Sequence, residues 1–457
     1  MEEEVVRNPL DPSQPGPQAR ASFLRMTATE VSIDDLSHDG RGVARLDGKA
    51  LFVTGALPGE RVRVRITRRH RHYDEAAVVE LLTASSDRVV PRCAHYDICA
   101  GCSLQHLAPA AQIAAKQRVL AENLERIGRL QPRRWLPALT AEPWGYRRKG
   151  RLSVRWVEKK GRVLVGFREA NPQFVADLRR CEVLDPALGP QLGALGEMLG
   201  TLDAARSIPQ IEFAAGDATL VLVLRHLQPL SVADRARLAG LAREHGWAIW
   251  LQPGGIDSVH PLEAADAVEL SYTLPASGTS LAFRPLDFIQ VNAAINRAMV
   301  DRALELLDPQ PHQRVLDLFA GLGNFTLPIA RRVATVTGIE GEAGLVQRAV
   351  ENATRNGIDN ARFFSADLFA DQRGAMWARE PWDALLLDPP RAGAQQLLEY
   401  LPQASTRRVV YVSCHPGSLA RDAATLARRG FTLDAAGVMD MFPHTAHVES
   451  IALFERA

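Results

Sequence analysis

Cys414 stands directly before His415 in the stretch "VSCHPGSLARD", after the apolar run "RVVYV" and ahead of a segment with helical character. A thiol so placed can be a nucleophile, a metal ligand or a plain buried side chain. Its neighbour is a poor candidate for a proteolytic partner, because adjacent residues at a strand end point to opposite faces. The other cysteines point to separate chemistry. Cys93, Cys99 and Cys102 form C-x5-C-x2-C in "CAHYDICAGC", and Cys181 in "LRRCEVLD" is the natural fourth. Four thiolates suit a tetrahedral zinc or an iron–sulfur cluster, and the spacing does not separate the two. Five cysteines in all, an odd number, argue against a disulfide framework.

The elements that must position Cys414 begin at about residue 281. "RVLDLF", "ATVTGIE", "ARFFSAD", "ALLLDPP" and "RVVYVSC" read as buried strands, with helical stretches such as "EAGLVQRAVENATRNG" between them. That alternation predicts an α/β fold with a doubly wound, Rossmann-like parallel sheet. Ligands of such sheets sit beyond the carboxyl ends of the strands. The glycine loop of "DLFAGLGNFTLP", Glu340, Asp367, Asp388 and Cys414 all fall at those ends. The loop lets a ligand approach the backbone closely, but position 326 is Thr, so the full G-x-G-x-x-G is absent, as is a P-loop lysine. Glu340 can accept both hydrogen bonds from a ribose diol. The prolines after Asp388 in "DPPR" stiffen the backbone beside it.

A length of 457 residues suggests about two to four domains, and 54 basic against 53 acidic side chains leave any polyanion site to local clustering. The start, "MEEEVVRNPLDPSQPGPQAR", lacks a secretory pattern and reads as a disordered tail over residues 1–21. Residues 22–83 alternate apolar and polar positions between glycine turns. In "ERVRVRIT", Val62, Val64 and Ile66 oppose Arg61, Arg63 and Arg65, which predicts a small β-barrel with an arginine face suited to phosphates. Residues 84–280 read as an α+β domain carrying the cysteines. There "AQIAAKQRVLAENLERIGRL" places Ile113, Leu120, Leu124 and Ile127 on one helical face. A second basic cluster follows: Arg147, Arg148, Lys149 and Arg151. No run approaches the roughly 18 apolar residues of a membrane span.

The motifs "DFIQVN", "DLFAGLGNFTLP", "LLLDPPRAGA", "VSCHPGSLARD" and "HTAHVESIALFER" together resemble those of the RNA uracil-5-methyltransferases that use S-adenosylmethionine. The cysteine set and the barrel, which resembles a TRAM domain, point to the branch acting on bacterial 23S ribosomal RNA. The likeness runs from about residue 22 to the end. It implies a [4Fe-4S] cluster on Cys93, Cys99, Cys102 and Cys181. It also implies cofactor contacts from Gln290, Phe319, Asn324, Glu340, Asp367 and Asp388. His415 and Asp367 stand where relatives often carry asparagine. The implied protein is a cytoplasmic monomer whose partner is 23S ribosomal RNA, with no membrane role.

The resemblance answers what Cys414 is for. Carbon 5 of uracil is too weak a nucleophile to take a methyl group directly. Thiolate addition at carbon 6 creates an enolate with carbanion character at carbon 5, and a base must later remove the carbon-5 proton. The motif match gives Cys414 the first role and Glu449 the second. The target base must be unpaired or flipped out to be reached. Two rival classes fit less well: a radical enzyme, whose C-x3-C-x2-C differs from the spacing here, and a non-catalytic RNA-binding factor, which the intact Cys414, Glu449 and Asp388 argue against.

Overall fold

The computed structural model describes residues 28–401 and 403–456; the segment expected to be a disordered tail lies outside the described residues. Residues 28–90 with 106–108 form one compact unit, and residues 91–105 with 109–456 form a second.

In the first unit a six-stranded sheet curls on itself. The strand Thr29–Ser32 pairs with Arg61–Arg69, while Asp34, just beyond it, donates to Val43 O at 2.8 Å on the strand next to the opposite edge. Val31, Val53, Val62 and Val64 fill the interior. The alternation read from "ERVRVRIT" is therefore real, since Arg61 and Arg65 face solvent. Arg61 pairs with Glu30, and Arg63 with Glu80, on neighbouring strands.

The second unit holds two large sheets. One runs His260–Pro261, Trp247–Gln252, Leu220–Arg225, Gln210–Ala215, Lys149–Val157, Arg162–Gly166, with the helices Leu192–Gly200 and Val232–His245 packed in its core. The other has eight strands. Numbered within this sheet they are β1 (Arg134–Trp135), β2 (Arg314–Leu318), β3 (Thr335–Glu340), β4 (Ala361–Ser365), β5 (Ala384–Leu387), β6 (Arg408–Ser413), β7 (Thr432–Met439) and β8 (Glu449–Glu455). Their order is β4-β3-β2-β5-β6-β8-β7-β1, parallel from β4 to β6, with β8 running antiparallel between β6 and β7. Strands β2, β5 and β6 are buried almost throughout, as sheets covered on both faces require. The doubly wound expectation holds.

The helix Pro109–Asn123 departs from its sequence pattern. It buries Gln112, Lys116 and Leu120, one per turn, and continues as a π turn, Leu124–Gly128, that buries Leu124. The wider π turn rotates Ile127 outward to 51% exposure. The inward face is thus half polar, which the apolar stripe Ile113, Leu120, Leu124, Ile127 does not suggest.

Candidate active site

The loop after β2 turns sharply over the sheet edge. Phe319, Gly321 and Gly323 all have left-handed φ, at 64°, 55° and 96°. Glycine meets this at two of the three; Phe319 adopts it with a side chain, a costly geometry that recurs where ligands bind. Gly321 N donates to Glu340 Oε2 at 3.0 Å, and Glu342 N to Glu340 Oε1 at 3.0 Å. Both oxygens keep further lone pairs for a diol. Asn324 is locked in place: Tyr272 donates its hydroxyl to Asn324 Oδ1 at 2.8 Å, and Asn324 and Asn296 exchange amide hydrogen bonds at 2.9 and 3.1 Å. Neither Tyr272 nor Asn296 stands out in the sequence.

Asp388 follows β5 and accepts from Gln290 Nε2 at 3.3 Å. Burial pushes its carboxyl up to about 7, and the Gln290 hydrogen bond opposes this. Asp317, fully buried in β2, accepts from Thr326 Oγ1 at 2.5 Å. Burial raises it too, to about 7, with Asp388 and Glu340 adding to the shift. Asp317 Oδ1 has no hydrogen-bond partner. Sequence reading passed over this residue, although it sits inside the quoted motif. Asp367 is exposed beyond β4, accepting from Phe369 N at 2.9 Å in a turn that asparagine could make equally. The Phe369 ring lies 5.9 Å from that of Phe319.

Cys414 directly follows β6, and Glu449 opens β8. The antiparallel register pairs Ser413 with Ser450, so the next position along the ladder sets Cys414 opposite Glu449. Burial pushes the Cys414 thiol up to about 11, with Glu449 and Asp388 adding to the shift and Arg391 opposing it. Glu449 is 9% exposed, and burial lifts it to about 8; Asp388 adds, while Arg391 and Lys116 oppose. Arg391, in the "DPPR" turn, is the cation facing both groups, and it also approaches His447 Nδ1 at 3.2 Å. His415 does not act with the thiol in any way the hydrogen bonds reveal. Its Nδ1 accepts from Ser418 N at 3.1 Å and caps the helix Pro416–Arg428. That is a task asparagine performs as well, which accounts for the exchange between the two.

Cys93, Cys99, Cys102 and Cys181 line one cavity of about 150 Å³, with Phe167, Arg147 and Arg180 also in its wall. Burial raises all four thiols, Cys102 to about 12 and Cys181 to about 11. Among the described residues, no three His, Cys, Asp or Glu side chains are placed to hold a metal ion.

The second basic cluster is not a free surface patch. Arg148 turns inward, 5% exposed, with its guanidinium 4.6 Å over the Tyr272 ring and its Nε donating to Gln290 O at 3.0 Å. Lys149 Nζ donates to Pro285 O at 2.5 Å, and Arg151 pairs with Glu212. Arg148 and Lys149 brace the loop that carries Gln290.

The family described as tRNA (Uracil-5-)-methyltransferase matches residues 266–457, and the TRAM domain matches residues 26–79. The chain is 60% identical to the 23S rRNA (uracil(1939)-C(5))-methyltransferase RlmD of Xanthomonas oryzae, over 94% of this chain and 98% of the relative. It is 59% identical to the protein of the same description from Stenotrophomonas maltophilia, over 95% and 99%. A solved structure, the Pyrococcus abyssi tRNA (uracil-54, C5)-methyltransferase in complex with S-adenosyl-L-homocysteine, has the same fold. Its TM-score is 0.70 at 22% identity, covering 93% of this chain and all of that one. The family match and the near-full-length relatives define an RNA methyltransferase of the uracil-C5 class. The chain belongs to the RlmD family of bacterial 23S rRNA (uracil-C5)-methyltransferases.

Proposed function

We propose that this protein methylates carbon 5 of uridine 1939 in 23S ribosomal RNA by covalent catalysis, with S-adenosylmethionine as methyl donor. The observation carrying the reading is the register of β6 and β8, which brings a thiol and a buried carboxyl side by side at the mouth of the sheet. Cys414 adds to carbon 6, carbon 5 takes the methyl group, and Glu449 removes the carbon-5 proton. Arg391 favours the thiolate, helped by the N-terminus of the helix that starts at Pro416.

The donor site suits the cofactor. Bound there, S-adenosylmethionine supplies an electrophilic methyl group on a positive sulfur. Asp317, Glu340 and Asp388 give the strand ends a negative potential that favours a cation. Phe319 and Phe369 offer aromatic faces to a purine, Glu340 takes the ribose, and Gln290, Asn324 and Asp367 complete the set.

The cysteine cavity suits a [4Fe-4S] cluster held by Cys93, Cys99, Cys102 and Cys181. A cluster spreads its ligands over separate irons, so it needs thiols ringed about a cavity and not converged on one point. Burial in the cavity disfavours bare thiolates and favours thiolates neutralised by metal. The barrel, proposed as residues 22–83, supplies RNA contacts. Residues 84–280 form the cluster domain and 281–457 the methyltransferase domain of a cytoplasmic monomer.

Labelled S-adenosylmethionine incubated with 23S RNA tests the function. Label at carbon 5 of uridine 1939 is the expected result, and label elsewhere or none overturns it. An absorbance spectrum with iron and sulfide analysis tests the cluster.

A further inference from the structure

The loop leading into Glu449, residues 440–448, is held by parts of the chain remote from it in sequence. Ser103 N and Leu104 N both donate to His444 O at 2.9 Å, and Ala446 N donates to Ser103 Oγ at 3.1 Å. Gln112 completes the grip from the helix Pro109–Asn123: its Oε1 accepts from His444 N at 2.9 Å while its Nε2 donates to Leu104 O at 3.0 Å. Lys116, 2% exposed, bonds Asp440 Oδ1 at 2.6 Å and Phe442 O at 3.0 Å. Tyr146 donates to Pro443 O at 3.2 Å, and the Trp144 ring stacks on His444 at 3.9 Å. His444 itself has φ 65°, a strained geometry that needs such support.

We infer that the segment Cys102–Leu104 is a clasp whose task is to position the catalytic-base loop, with Ser103 as its positioning residue. Ser103 reaches the base loop through its hydroxyl and its backbone, and it follows a cysteine of the thiol-lined cavity. The same turn of chain is therefore fixed at one end to that cavity and at the other to the residues before Glu449. The inference rests on the covalent reading above. It places the clasp at one step only: Glu449 takes the carbon-5 proton, the C5–H electron pair becomes the C5=C6 double bond, and the C6–S bond breaks to return the thiolate to Cys414.

The test separates that step from addition and methyl transfer. RNA carrying 5-fluorouridine at the target has no carbon-5 proton to lose, so a wild-type protein should form a lasting methylated adduct through Cys414. Ser103→Ala should trap the fluorinated RNA at the wild-type rate and bind S-adenosylhomocysteine as well as the wild type. With ordinary RNA it should release product about tenfold more slowly, the worth of one hydrogen bond in a strained loop, and accumulate the adduct on denaturing gels. Ser103→Thr, which keeps the hydroxyl, should restore release. If Ser103→Ala does not fold, Gln112→Met carries the same expectation. Normal release by both variants, or a loss that falls equally on trapping of the fluorinated RNA, overturns the clasp alone. A wild-type protein that forms no adduct with the fluorinated RNA overturns the covalent reading and the clasp with it.

Discussion

Glu449 combines two properties that a late-acting base needs: it is buried beside the nucleophile, and its affinity for a proton lies near neutrality. Cys414→Ala should leave RNA bound and unmodified, because no bond forms. Glu449→Gln keeps the shape and removes the base. It should stall after methyl transfer, accumulating an RNA–protein band and releasing product about 10²- to 10⁴-fold more slowly. Normal turnover with no band would pass the role to another group. The pH dependence of stability offers a second check. The folded protein holds the Glu449 proton up to about pH 8, whereas an unperturbed glutamate loses it at 4.5. Between those limits the folded state binds the extra proton, so this group's contribution falls as pH rises. Glu449→Gln should therefore match the parent's melting temperature at about pH 4.5 and exceed it by several degrees at about pH 8. A gap that stays constant with pH would refute the assignment.

At the scale of elements, the parallel strands were legible because each is a continuous apolar run with its chemistry at the carboxyl end. The supports of the site were not. Tyr272 lies in a hairpin that looks unremarkable in sequence, yet its hydroxyl fixes Asn324. Tyr272→Phe should weaken S-adenosylhomocysteine binding about three- to tenfold by titration calorimetry, the value of one hydrogen bond; unchanged affinity would remove Asn324 from the cofactor contacts. The helix Pro109–Asn123 shows why periodicity misleads here. Gln112 and Lys116 sit one turn apart and face inward because the base loop needs their donors and acceptors, a demand made by residues 332 and 324 positions away. Arg148 and Lys149 look like a surface charge run for the same reason. Their partners, Tyr272 and backbone carbonyls of the Gln290 loop, are distant in sequence.

For the whole molecule, a net charge of +1 leaves RNA affinity to local patches. The barrel face read from sequence is partly neutralised, since Arg61 and Arg63 have carboxylate partners. Arg65 is exposed, and neither it nor Arg68 forms an ion pair among the described residues. Neutralising Arg65 and Arg68 should flatten the dependence of log affinity on log salt by up to about 1.8, at about 0.7–0.9 per phosphate contact. The Arg61 and Arg63 pair should change it less, and equal effects would restore the simple alternating face. The motifs thus revealed the chemistry and the strand scaffold, while contacts between remote segments settled which charges are free.

The long reach of the base loop has a consequence for how the protein comes into being. During synthesis the segment containing Ser103, Gln112 and Lys116 emerges early, and the sheet's edge strand Arg134–Trp135 soon after. Their partners, β7 and the loop ahead of β8, are made more than 300 residues later. Closing so long a loop is slow compared with forming local helices and hairpins. A growing chain can therefore fold its barrel and central sheet while the thiol of Cys414 still lacks both its base and the strand beside it. The nucleophile is completed only when the final residues are in place, so an unfinished or truncated chain could bind RNA without being able to react with it.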